Sequence, residues 1–165
     1  MHRLGPVSDE RALTALERSG IGHEIVRHGP VRNLAEAAAA RGVEPSAVIK
    51  TMVVRRADDD YVFVLVPGDR NIAWPKLRSL LGVSRLSMPD AATAKDVTGY
   101  ERGTITPFGS SRAWPVIADK RIIGREVSIG GGAHGVSAKV DGDALISVLG
   151  AEVADVTEPE AGPVG

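Results

Sequence analysis

The chain has 165 residues, 43% hydrophobic and 25% charged, with 20 Lys+Arg against 21 Asp+Glu and no cysteine. This length fits one domain able to bury a real core, and the composition is that of an ordinary soluble globular protein. Disulfides, thiolate metal sites and a cysteine nucleophile are excluded, and the near-neutral balance argues against gripping duplex DNA through its phosphates.

No apolar run approaches the ~20 residues of a membrane span. Residues 1–10 lack the apolar stretch of a signal peptide, so the cytoplasm is the expected compartment and no membrane partner is expected.

Ser8 or Asp9 is placed to cap a first helix of about ten residues that ends at Gly20, with Leu13 and Leu16 inward. Residues 23–27 read as a short strand. Asn33 caps an alanine-rich helix stopped by Gly42. Residues 48–54 and 61–66 read as two apolar strands of one antiparallel hairpin, joined by a polar turn over 55–60.

Pro67, Gly68 and Asp69 break the second strand. A helix with Trp74, Leu77, Leu80 and Leu81 at helical spacing follows, closed by Gly82. Asp90 caps another helix that stops near Gly99. Strands are expected over 114–118, 125–129 and 135–140, then a helix capped by Asp141 and a final strand over 152–156. The tail 157–165 has too little apolar content to pack and is expected to be disordered. Short strands interspersed with helices, without regular βαβ alternation, point to an α+β domain with a curved or closed mixed sheet.

Lys50 is the most informative residue. Strand side chains alternate faces, so Lys50 shares one side of its strand with Val48, Met52 and Val54, and Thr51 shares the other with Ile49 and Val53. Both sets are otherwise largely apolar. The ammonium must therefore snorkel out, find a partner, or line a pocket, where desolvation would lower its pKa. A gatekeeper charge on an edge strand is the plainer alternative.

Two glycine clusters stand out. Gly130, Gly132 and Gly135 match a dinucleotide fingerprint in form, but a strand rather than a helix follows, so a glycine-rich turn or a close approach to ligand is the better reading. Residues 98–109, with Gly99, Gly103, Pro107 and Gly109, make a long shaped loop whose amides could bind an anion or a developing oxyanion. The four histidines, His23 and His28 among them, show no metal-ligand spacing, and no Ser-His-Asp nucleophile pattern is readable. No metal and no cofactor are expected.

Taken in order, five segments resemble the YbaK/prolyl-tRNA synthetase-associated editing domain family, over roughly residues 21–156. They are Val48-Ile49-Lys50-Thr51, Val64-Leu65-Val66-Pro67-Gly68-Asp69, Lys76-Leu77 with Leu80-Leu81-Gly82, Thr98-Gly99-Tyr100 with Gly103, and Thr106-Pro107-Phe108-Gly109. The resemblance implies a single domain over 1–156, built on a six-stranded mixed barrel-like sheet flanked by helices. It places Lys50 on the family's essential lysine. It also implies a substrate pocket served by His23, His28, Thr51, Gly99, Tyr100, Gly103, Thr106, Pro107, Phe108 and Gly109, faced by Ser128, Gly130 and Gly131.

The implied reaction is hydrolysis of the ester on a mischarged tRNA acceptor end, of the Cys- or Ala-tRNA(Pro) kind, with prolyl-tRNA synthetase as a candidate partner. His23 stands where related deacylases often carry tyrosine, and Glu101-Arg102-Gly103-Thr104 replaces a more glycine-rich stretch. Both differences leave the amino-acid specificity open. A non-catalytic module that binds the aminoacylated tRNA end, or a synthetase, is the alternative reading.

Overall fold

Strands β2 (Val48–Ala57) and β3 (Asp60–Pro67) form the hairpin on which the rest is assembled. A computed structural model describes residues 8–160. The hairpin turn is shorter than the sequence suggests: Arg55 and Arg56 belong to β2, and only Asp58 and Asp59 turn, with Asp59 in the left-handed region at φ 54°. The carboxylates at the turn pair with those two arginines, Asp58 with Arg55 and Asp60 with Arg56. Paired in this way, the charges extend the strand rather than ending it.

The remaining elements are α1 (Ser8–Ser19), β1 (His23–Arg27), α2 (Leu34–Arg41), β4 (Arg70–Ile72), α3 (Trp74–Leu81) and α4 (Ala91–Thr98). After them come β5 (Val116–Asp119), β6 (Glu126–Gly130), β7 (Val136–Asp141), α5 (Gly142–Leu149), β8 (Glu152–Ala154) and β9 (Thr157–Pro159). Asn33, Asp90 and Asp141 each accept a backbone N–H three residues on, capping α2, α4 and α5, which satisfies donors that a helix start leaves open. None of the described helices is long and apolar enough to cross a membrane.

The main sheet has seven strands in the order β1-β7-β6-β2-β3-β5-β8, with parallel pairs β2·β6, β3·β5 and β5·β8. The sheet holds one strand more than the expected six, and its order runs from β1 to β8 with no pairing of those two edges among the described residues. The mixed α/β character stands.

Tyr61, Phe63 and Leu65 face one apolar core together with Leu16, Ile129 and Leu145, while Val62, Val64 and Val66 face a second with Leu77 and Ile117. Every residue of β3 after Asp60 is buried. A strand covered on both faces reads as a continuous apolar run, which is why it is the clearest strand in the sequence. Burying each such side chain contributes roughly 1.5–3 kcal/mol.

The expected disordered tail is overturned over its first residues. Thr157–Pro159 pair antiparallel with β4, Arg70 opposite Pro159 and Ile72 opposite Thr157. Residues 161–165 lie outside the described residues. What holds this segment is polar rather than apolar. Asp119, fully buried, accepts from Val156 N at 3.2 Å, from Thr157 Oγ1 at 2.9 Å and from Arg121 N at 3.2 Å. Arg121 pairs with both Asp119 and Asp155, and Arg70 donates to Thr157 Oγ1 at 2.7 Å.

Replacing Asp119 with alanine strands buried donors at Val156 and Thr157. Urea unfolding is expected to show a loss of about 2–3 kcal/mol, with Asp119→Asn, which keeps an acceptor, costing less. A loss below about 0.5 kcal/mol, the range of an ordinary surface change, would mean that this carboxylate does not anchor the C-terminal segment.

Candidate functional site

The pairing of β2 leaves a gap. Against β3 it runs in unbroken register from Ile49 to Arg55. Against β6 it lasts only two residues, Val48 opposite Ser128 and Ile49 opposite Ile129. The next contact on that side comes at Arg55, whose N–H and C=O both bond to Ser87, at 2.7 and 3.2 Å. Main-chain groups alternate sides along a strand. The N–H and C=O of Thr51 and Val53 therefore turn the same way as those of Arg55, into the gap.

A cavity of about 300 Å³ occupies this gap. Its floor is β2 from Val48 to Val53, and its other walls come from Met88, Pro89, Ala91 and Ala94, from Arg102, Gly103 and Ile105 of the loop after α4, and from Gly130 and Arg41. Among the described residues three cations line it, Arg41, Lys50 and Arg102, and no Asp or Glu does. Gly130 forms part of one wall, where a Cβ would make only ordinary contacts, 3.6 Å from Ile105 O and 4.0 Å from Thr104 O. Gly103 takes φ 87°, a left-handed conformation that L side chains rarely adopt, and a Cβ there would meet His134 at 3.3 Å.

The Lys50 amine donates to Arg70 O at 2.7 Å, which leaves two further N–H donors. Burial pushes its pKa below the ordinary lysine range, and the nearby carboxylates of Glu160 and Asp69 pull it partly back. Arg41 reaches in from the last turn of α2, donating from Nη1 to Ser128 Oγ at 3.3 Å, with its Nε buried and lacking an acceptor. Thr51 Oγ1 is likewise buried without a partner among the described residues. Neither Gly103 nor Ile105 donates its N–H to any described residue, whereas Thr104 N bonds to Glu101 O at 2.9 Å.

Of the residues expected from the sequence, Lys50, Thr51, Gly103 and Gly130 come together here. The others fall elsewhere. Tyr100 is fully buried, donating to Phe108 O at 2.6 Å, and Phe108 belongs to the first core. Thr106 is fully buried, its Oγ1 accepting from Phe108 N at 3.3 Å. Pro107 accepts from Ser110 N inside the same loop.

Gly99 and Gly109 accept from Arg11, at 2.7 and 3.4 Å, and the Arg11 guanidinium lies 4.8 Å from the Tyr100 ring centroid. These residues frame the loop from behind while 102–105 faces the cavity. Ser128 is buried behind Arg41, and Gly131 is buried in the β6–β7 turn, donating to Val136 O at 2.8 Å. His23 is exposed with Nδ1 2.8 Å from Ile21 O, and His28 lines a separate depression with Pro30 and His134.

The sequence reading missed Arg41, Arg102, Ile105 and the apolar wall from Met88 to Ala94. Arg41 reads in sequence as a cation complementing a helix C-terminus; only the fold brings it beside β6. Among the described residues no three His, Asp or Glu side chains gather into a metal-ligating group.

Comparison with known proteins agrees with this architecture. The profile of the aminoacyl-tRNA editing domain matches residues 28–148, and the chain belongs to that family. It is 34% identical over 93 residues to the proline–tRNA ligase of Bacillus licheniformis, covering 56% of this chain and 16% of the ligase. To the proline–tRNA ligase of Levilactobacillus brevis it is 30% identical over 140 residues, covering 82% of this chain and 24% of the ligase. The chain thus spans no more than about a quarter of the length of these curated relatives. The crystal structure of a candidate trans-editing enzyme for prolyl tRNA synthetase superposes with a TM-score of 0.84 at 28% identity, covering 94% of this chain and 99% of that one.

The lowered Lys50 pKa has a measurable sign. Because the folded chain gives up this proton more readily than the unfolded one, Lys50 opposes stability below its folded pKa. That penalty fades as pH climbs towards the unfolded value. Amine-directed labelling across alkaline pH, read by peptide mass spectrometry, is expected to put the Lys50 half-point below the ordinary lysine range and to return it there in urea. An unchanged half-point on unfolding would show that burial does not act on this amine.

Proposed function

We propose that the cavity is the hydrolytic site of a trans-editing aminoacyl-tRNA deacylase, which cleaves the ester of a mischarged tRNA of the Ala- or Cys-tRNA(Pro) kind. The observation that carries this reading is the pairing of Lys50 with the 102–105 loop and Gly130 across a small cavity that no carboxylate of the described residues lines. Lys50 holds the substrate by its acyl carbonyl or its terminal phosphate. The N–H groups of Gly103 and Ile105 are the candidate donors to the oxyanion that forms as the carbonyl becomes tetrahedral.

An aminoacyl ester is already activated. Water, helped by the ribose 2′-OH, adds to the acyl carbon, and the bond to the ribose 3′-oxygen breaks with that oxygen taking a proton. Free amino acid and uncharged tRNA result. For a cysteinyl substrate the thiol of the substrate is an alternative attacking group. Among the described residues no Asp, Glu or His lines the cavity to serve as an inbuilt base, so positioning and oxyanion stabilisation supply the rate.

A volume of about 300 Å³ is at the low end for ligand sites. With Met52, Met88, Ala91, Ala94 and Ile105 around it, it favours a small, weakly polar side chain. A synthetase pocket discriminates a methylene by only about 1–3 kcal/mol, which is the need that a second hydrolytic sieve meets. The near-zero net charge fits a protein that grips only the acceptor end and takes further affinity from a prolyl-tRNA synthetase partner.

Deacylation of Ala-tRNA(Pro) and Cys-tRNA(Pro), with Pro-tRNA(Pro) as the cognate control, tests the reading. The wild type should outpace spontaneous hydrolysis on at least one mischarged substrate, and Lys50→Ala should lose about a hundredfold or more while keeping its urea midpoint within a small margin. Full activity in Lys50→Ala would remove the amine from the mechanism. Protection of the ester in place of its hydrolysis would identify a binding module.

A further inference from the structure

Arg41 and Arg102 are the cations in this cavity that the proposed chemistry leaves unused, and of the two only Arg41 is half-buried. The Arg41 guanidinium carries five N–H donors, and among the described residues only Nη1 has an acceptor, the hydroxyl of the fully buried Ser128. Nε is buried without a partner, and no carboxylate pairs with the side chain among the described residues. Burial pulls the arginine pKa down from its ordinary value. A half-buried guanidinium with most of its donors idle is costly to keep, unless something that visits the cavity brings the acceptors.

The visiting group can be specified by charge. Among the described residues three cations and no acid line the cavity, so it is built for an anion. On an aminoacylated tRNA end the α-ammonium is positive and the ester neutral; the formal negative charges are the phosphodiesters. A planar guanidinium also matches two phosphate oxygens at once.

The placement agrees. Arg41 holds Ser128, and Ser128 sits opposite Val48. Val48 lies two residues along β2 from Lys50, roughly 6–7 Å at ~3.3 Å per residue, a separation that one nucleotide spans. Arg102, by contrast, is exposed on the loop and keeps its hydration.

We infer that Arg41 anchors the phosphodiester joining the last two nucleotides of the acceptor end, so that the ester of the terminal ribose falls between Lys50 and the 102–105 loop. This assignment rests on the deacylase reading above and adds to it a residue that recognises the nucleic acid at the site itself.

The test compares substrates with and without that phosphate. With Ala-tRNA(Pro), Arg41→Gln is expected to lower kcat/KM by about ten- to a hundredfold, mostly through KM, with Arg41→Lys intermediate. With 3′-O-alanyl-adenosine, which lacks the phosphate, the same variants should stay within about twofold of wild type. Equal losses on both substrates, or no loss on either, would overturn the assignment.

A second measurement reads binding without turnover. Cytidylyl-(3′→5′)-adenosine should compete for the wild-type site better than adenosine does, and Arg41→Gln should erase that preference. If the wild type hydrolyses the ester but shows no preference for the phosphate-bearing dinucleotide, the anchor is wrong and the deacylase reading survives. If it shows the preference but hydrolyses nothing, the anchor survives and the deacylase reading falls.

Discussion

The site exists because β2 is paired without a break from Ile49 to Arg55 on one side and only near its two ends on the other. Where β6 leaves it after Ile49 and before Ser87 meets it at Arg55, the strand keeps its extended form without a neighbour. An unpaired stretch in the middle of a sheet exposes main-chain donors and acceptors that the interior cannot satisfy. Here the stretch is held open by Met88 to Ala94 on one side and by Gly130 with the 102–105 loop on the other. The hairpin partner makes this tolerable. β3 is buried on both faces, so the rigid side of β2 fixes the position of the open one.

The charge pattern follows from the same geometry. Lys50 sits on the β2 face of Met52 and Val54, next to the bend from β3 into β4, and its amine meets a backbone carbonyl there rather than a carboxylate. Hydrogen bonding to Arg70 O fixes the direction of the amine but leaves its charge uncompensated. Glu160 and Asp69 act from farther off. Glu160 is placed by the pairing of β9 with β4, Glu160 N bonding to Asp69 O at 3.1 Å. The polar anchorage of Asp119 thus reaches the site: it fixes the segment that sets the field around the lysine.

Much of this was legible in the sequence, and the failures have physical reasons. The β2–β3 hairpin, the capped helices and the turn between β6 and β7 were readable because each rests on local chemistry: an apolar run, a capping side chain, glycine at a turn. Lys50 stood out because a cation in an apolar strand is a local contradiction. Strands β4 and β9 were missed because three residues carry no periodicity, and Thr157 is held by Asp119 and Arg70, far away in sequence.

The loop after α4 was read too uniformly. Its glycines and aromatics look alike in sequence, yet Tyr100 and Phe108 point into the fold and only Arg102, Gly103 and Ile105 face the cavity. Arg41 carried no signal at all, since nothing in an alanine-rich helix ending at glycine shows what its last cation will face.

The division of that loop into a buried frame and a facing edge bears on how such a cavity could work without a strong base. Arg11 holds Gly99 and Gly109 together and lies over Tyr100, while Tyr100 in turn bonds to Phe108 O. Both ends of the loop are therefore fixed to α1 and to the core. The edge at Gly103 and Ile105 is thereby presented with its N–H groups already unpaired, so little reorganisation is left for the moment when charge develops on a bound carbonyl. Preorganised donors act only on what becomes charged, and they suit an acyl group whose leaving oxygen is already a good one. On the deacylase reading proposed above, a site of this construction would favour esters over amides, and among esters those small enough to bring the carbonyl up to the loop.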